Sequence, residues 1–168
     1  MLLYTESGES KGDTNIMEKR NIKMVTENRK ARHDYSVIDQ YEAGMVLSGT
    51  EVKSLRVGRA HLKDSYAKIK NGEVFVHQMH IGPYPFAYYG NHDPLRPRKL
   101  LLHNHEIKKL IGKVKEKGFS LIPLRVYFKN GKAKMAIALA KGKKSHDKRE
   151  AIRRRDEQRY LERERKDF

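Results

Sequence analysis

The sequence predicts a mainly β fold. Short antiparallel strands close, or nearly close, into a barrel, with two flanking helices and a basic tail behind it. Three observations predict this. Asn71-Gly72 and Asn130-Gly131 each sit between strand-like runs and favour type I′ hairpins. Five or six such runs fall between Asn28 and Ala140, and closure removes the exposed edges they would otherwise leave. The last 28 residues differ in kind, with 12 Lys or Arg and 7 Asp or Glu. An open antiparallel sheet with helices on one face is the alternative to the barrel.

Taken in order, residues 1 to about 27 are polar with little periodicity and are expected to be disordered. Met17 and Met24 are candidate internal starts. Asp34 to Tyr41 is rich in β-branched and aromatic residues and reads as a strand. Ser48 or Thr50 caps a short helix through Glu51, Val52, Leu55 and Arg56, closed by Gly58. Asp64–Lys70 and Glu73–Ile81 pair around the first Asn-Gly. Gly82 to Pro97 holds four of the five prolines, which cannot donate to a ladder, along with Tyr84, Phe86, Tyr88, Tyr89 and His92. It reads as a mobile surface loop.

Lys99–Leu102 is a short strand. Leu100, Leu101 and Leu102 are expected in the core, although alternation along a strand lets one face outward. Asn104 or His103 opens a helix that carries Ile107, Leu110, Ile111 and Val114 on one face and ends at Gly118. Phe119–Phe128 and Ala133–Leu139 form the second hairpin. The chain therefore divides into a disordered extension (1–27), a barrel body (28–140) and a basic tail (141–168).

The tail has no Pro, and no Gly after Gly142, so its helix propensity is good. Asp147 with Glu150 resembles a capping box, and Glu150–Arg154 and Glu162–Lys166 are favourable pairs. Arg149–Arg153 and Arg159–Arg163 repel. Its only large apolar residues, Ile152, Tyr160, Leu161 and Phe168, form no stripe that could dock on the body. The tail is expected to be disordered alone and helical against an anionic surface.

A formal charge of +16 on 168 residues is the footprint of a polyanion partner. A membrane partner is disfavoured, because no stretch nears the ~20 apolar residues of a spanning helix. Met1 to Lys23 lacks the apolar run of a secretory signal, and cytoplasm is the simplest compartment. With no cysteine, disulfides, thiolate nucleophiles and Cys-based zinc sites are excluded.

The eight histidines show no metal-ligand spacing, and His103 and His105, two apart at a helix start, would diverge. No phosphate-binding loop, Gly-x-Ser-x-Gly elbow or Gly-Gly-Gln tripeptide is present. No catalytic residue, metal or cofactor is assigned. The basic residues carry the signal instead. Arg29, Lys30 and Arg32 precede the first strand, Lys53, Arg56 and Arg59 lie on or after the first helix, and Arg96, Arg98 and Lys99 follow the aromatic loop. Such residues contact phosphates, while Arg and aromatic planes stack on unpaired bases.

Asn28–Tyr35, Tyr41–Gly44, Gly49–Arg56, Asp64–Tyr66, His92–Leu102, Ala140–Lys144 and Asp147–Arg149 together resemble the SmpB (small protein B) family, in the same order and over nearly everything from Asn28 onward. The resemblance implies an oligonucleotide-binding-like barrel that grips the tRNA-like domain of transfer-messenger RNA as a monomer, with no chemistry of its own. It implies a tail that enters the decoding site, formed by 16S rRNA, and the mRNA channel of a stalled 70S ribosome. Elongation factor Tu and alanyl-tRNA synthetase would act on the same RNA.

Residue by residue, Glu42, Leu101 and His103 match the RNA surface, the last at a position that is Asn in some members. Gly142, Lys143 and Lys144 match the hinge before the tail. Asp147, Lys148 and Arg149 match the tail motif, with His146 just before it. A general ribosomal or structured-RNA-binding protein is the alternative, and an RNA-processing enzyme is a third reading.

Overall fold

The computed structural model describes residues 22–88, 90–116 and 118–143, together with 152, 153, 156 and 157. The strands are β1 (Ile22–Glu27), β2 (Tyr35–Met45), β3 (Ala60–His61), β4 (Tyr66–Lys70), β5 (Glu73–His77), β6 (His80–Ile81), β7 (Arg98–Leu101), β8 (Phe119–Lys129) and β9 (Lys132–Gly142). The helices are α1 (Arg29–Asp34), α2 (Gly49–Arg56) and α3 (Asn104–Lys115).

Every pairing is antiparallel, and the main sheet runs β1-β8-β4-β5-β7-β2-β9. Because β9 also pairs with β8, six strands close into a ring: β8, β4, β5, β7, β2, β9 and back to β8. The expected barrel is present. Both Asn-Gly turns sit where I′ geometry needs them, with φ of 52° and 74° at Asn71 and Gly72 and 50° and 74° at Asn130 and Gly131.

The β8–β9 hairpin is buried on both faces, so period-2 alternation of polarity is absent and alternation of size replaces it. Met135, Ile137 and Leu139 join the barrel core with Leu55, Val76 and Leu100. Ala136, Ala138 and Ala140 join a second cluster outside the barrel, with Ala31, Ile122, Leu124 and Tyr127. Small residues on that face leave room for α1 to lie close.

Three expectations are corrected. Residues 22–27, read as part of a disordered extension, form β1. Ile22 pairs with Lys129 and Glu27 with Arg125, and Val25 packs on the core. This edge strand leaves Ile22 and Met24 exposed and gains its order from a ladder and the anchoring Val25 side chain, and neither gives a sequence period. Second, α1 stands where only a charge run was read. Asn28 caps it, its Oδ1 accepting from Ala31 N at 3.0 Å, while its Nδ2 donates to Leu62 O at 3.3 Å and Pro123 O at 3.2 Å. Third, the 82–97 loop, read as mobile, is pinned: Gly82 N donates to Arg59 O at 2.8 Å, Ile81 N to Pro94 O at 3.0 Å and Tyr84 N to Asn91 Oδ1 at 2.8 Å.

β9 also runs two residues past the expected end of the body, to Gly142, which pairs with Tyr35. Of the tail, Ile152, Arg153, Asp156 and Glu157 have helical backbone, and Arg153 Nε lies 3.8 Å from Glu157 Oε1. The remaining tail expectations fall outside the described residues. Among the described residues no helix is long and apolar enough to cross a membrane.

Candidate RNA interface

The barrel brings three separated positions to one open groove of about 540 Å³. Its lining includes Glu42 and Gly44 from β2, Leu101 from β7, His103 before α3, Val52 from α2, and Phe128 and Lys134 from the second hairpin. Alternation along β7 turns Leu100 into the core, at 1% exposure, and Leu101 outward, at 52%. Gly44 sits opposite Leu101 in the ladder, and a Cβ there would meet the Leu101 Cβ at 3.4 Å.

Glu42 is held but not enclosed. Tyr127 Oη donates to its Oε2 at 2.5 Å, and Lys134 Nζ lies 3.8 Å from its Oε1. Burial, and then the carboxylate beside it, push the Tyr127 phenol above its ordinary range, so it stays a donor. The Glu42 side chain is 40% exposed and keeps acceptor capacity for an incoming base amino group. Tyr127 and Lys134 were not singled out from sequence. Only the strand register, which sets Glu42 beside Ala136 and Lys134 beside Tyr127, reveals them.

His103 is exposed at the rim, and its backbone N–H donates to Glu106 Oε2 at 2.9 Å. His103 and His105 do not diverge. Their rings stack with centroids 5.5 Å apart, because both precede or occupy the first turn of α3, where the chain is still turning. Among the described residues no group of three His, Cys, Asp or Glu could hold a metal.

The basic residues separate into three sets. Lys53 and Arg56 project from α2, and the Arg56 guanidinium lies 6.0 Å from the Phe128 ring centre, beside the groove. Arg29, Lys30 and Arg32 are exposed on α1, which leads into Tyr35 at the start of β2. They lie at the base of the tail, where Lys143 N donates to Asp34 O at 2.9 Å and Lys143 Nζ to Arg32 O at 3.2 Å. Lys99 is half-buried and paired with Glu73. Lys144, His146, Asp147, Lys148 and Arg149 fall outside the described residues.

Arg98 is the correction. It was expected to contact RNA, but it is fully buried and its donors are spent inside the protein. Nε donates to Glu51 Oε1 at 2.7 Å, Nη1 to Met79 O at 2.6 Å and Nη2 to Pro94 O at 3.0 Å. Arg96 completes the cluster, donating from Nε to Glu51 Oε1 at 2.8 Å and from Nη2 to Oε2 at 2.5 Å. Burial by itself would push the Glu51 carboxyl up. Hydrogen bonds from Arg96, Ser48 N–H and Arg98 outweigh it and hold the group at about 2. The cluster ties α2 to the base of β7.

Barrel, groove and charge together define a small cationic antiparallel-barrel protein with a mainly apolar groove edged by Glu42, His103 and Lys134. The SmpB protein family model matches residues 25–167. The chain is 58% identical over 144 residues to the SsrA-binding protein of Syntrophobacter fumaroxidans, covering 86% of this chain and 89% of that one. It is 56% identical over 147 residues to the SsrA-binding protein of Bacillus subtilis, covering 88% and 94%. A solved structure described as "tmRNA-SmpB: a journey to the center of the bacterial ribosome" matches with a TM-score of 0.62 at 50% identity, over 76% of this chain and 94% of that one. This chain belongs to the SmpB protein family.

Proposed function

We propose that this protein binds SsrA RNA, the transfer-messenger RNA, and carries it to stalled ribosomes in trans-translation. The observation that carries the reading is the convergence of Glu42, Leu101 and His103 on one groove, with Lys134 inside it and Arg56 beside it. A carboxylate accepts from base amino groups, an outward leucine packs on a sugar or base face, and the flanking cations neutralise phosphates. The names of the relatives support the choice of RNA.

In this reading the groove takes the tRNA-like domain, and one copy of the protein acts per RNA. The tail, from Lys144 through the Asp147-Lys148-Arg149 motif, enters the decoding site and mRNA channel. Alanyl-tRNA synthetase and elongation factor Tu act on the same RNA, and the protein catalyses nothing itself. Crosslinking a tagged protein in cells with blocked translation and sequencing the retained RNA tests this. SsrA RNA should dominate, and its absence from the retained pool would refute the proposal.

A further inference from the structure

The loop between β6 and β7 carries chemistry that the groove does not use. Phe86 is 81% exposed and Tyr88 94%, and the Tyr84 and Phe86 rings meet edge to face with centroids 5.6 Å apart. The loop that holds them is pre-set. Tyr84 N donates to Asn91 Oδ1 at 2.8 Å, and Asn91 Nδ2 donates back to Tyr84 O at 3.0 Å. Arg59 Nη1 donates to Pro83 O at 3.2 Å. His92 lies with Nε2 3.0 Å from Ile81 O and Nδ1 2.9 Å from Thr50 Oγ1. A carbonyl only accepts, so Nε2 carries the proton and Nδ1 accepts from Thr50.

The surroundings are cationic. Lys53 Nζ lies 5.4 Å from the centre of the Tyr84 ring. One helical turn on, Arg56 covers Phe128, which lines the groove. The positive charge therefore runs from the groove, across α2, to the loop. Asp93 is the only carboxylate in residues 82–97, and its Oδ1 is turned back onto Leu95 N at 2.9 Å.

A cationic track that ends in exposed aromatic faces matches single-stranded nucleic acid, whose phosphates follow the charge while its bases stack on rings. A loop already braced between Tyr84 and Asn91 costs less entropy to order on binding than a free one. We infer that Phe86 and Tyr88 form a base-stacking platform for unpaired bases of the RNA whose folded part occupies the Glu42 groove. The inference rests on the RNA reading of that groove.

The test uses the full chain. It contains no tryptophan, so Phe86→Trp places a single indole reporter on the loop. Titrated with a transcript of the tRNA-like domain of SsrA RNA, this variant should bind as the wild type does and its fluorescence should be quenched by base stacking. A blunt-ended, fully paired RNA duplex of similar size should quench it much less. The Phe86→Ala, Tyr88→Ala double variant should bind the transcript about tenfold more weakly, with an unchanged Tm, and the Phe86→Tyr, Tyr88→Ala variant, which restores one ring, should regain most of that affinity.

Wild-type affinity in the double variant, or an unquenched indole in a complex that forms normally, overturns the platform and leaves the groove reading standing. Wild-type protein that fails to bind the transcript overturns both.

Discussion

Arg98 Nε donates to Glu51 Oε1 at 2.7 Å, and neither side chain has any exposed surface. A basic residue that reads in sequence as a phosphate contact is thus half of a buried ion pair. The pair also binds Arg96 and the carbonyls of Met79 and Pro94, so it holds α2, the end of the aromatic loop and β7 as one unit.

Removing one partner leaves the other charged and buried without its counter-ion. Glu51→Ala should therefore lower stability by about 3–5 kcal/mol. Denaturant unfolding measures this, and a loss below about 1 kcal/mol would show that the cluster is solvated. Arg32→Ala, at an exposed position, should change stability by less than about 0.5 kcal/mol.

The same carboxyl predicts an acid limb. Its value is about 2 in the folded protein against an ordinary 4.5. The folded value is depressed, so its contribution is fully present above about 4.5 and is lost as pH falls toward about 2. The wild type should lose about 3 kcal/mol through this group across that window. Glu51→Gln should lack that part of the slope in urea titrations repeated at each pH.

In the groove, Glu42→Ala should weaken binding of SsrA RNA by roughly 10- to 100-fold, the range for one lost hydrogen bond to a charged group. Folding should lose no more than about 1–3 kcal/mol, the cost of leaving the Tyr127 hydroxyl without its acceptor. Tyr127→Phe keeps the carboxylate and frees one oxygen, so it should cost less affinity than Glu42→Ala. Filter-binding isotherms compare the two, and equal losses would mean that Glu42 acts through Tyr127 alone.

Truncation after Lys143 keeps β9 and the Lys143–Asp34 contact. RNA affinity should stay within about threefold, and peptide tagging of stalled chains should be abolished. Loss of RNA binding in this variant would place affinity in the tail.

Binding should also fall linearly in log–log form with salt, with a slope of about −0.7 to −0.9 for each phosphate neutralised. Lys53→Ala and Arg56→Ala should each make that slope shallower by about one. Arg98→Ala should leave the slope unchanged in any protein that remains folded, since Arg98 has no surface.

Much of this protein was legible along the chain. Both hairpins follow from Asn-Gly pairs that tolerate positive φ, and α3 follows from a helical apolar period. The polyanion partner follows from net charge. These are local or additive properties, so no knowledge of neighbours in space is needed to read them. Tertiary structure alone decided the rest. Arg98 and Arg29 are the same residue type in similar basic runs, but a closing barrel buried the first against Glu51 and left the second on α1. Ile22–Glu27 keeps Ile22 and Met24 exposed and became ordered because β8 offered it a ladder. Glu42, Tyr127 and Lys134 meet only because β2, β8 and β9 pair in one particular register. Which cations face water, and which side chains share a groove, depends on contacts between distant segments, and those exist only once the ring of six strands has closed.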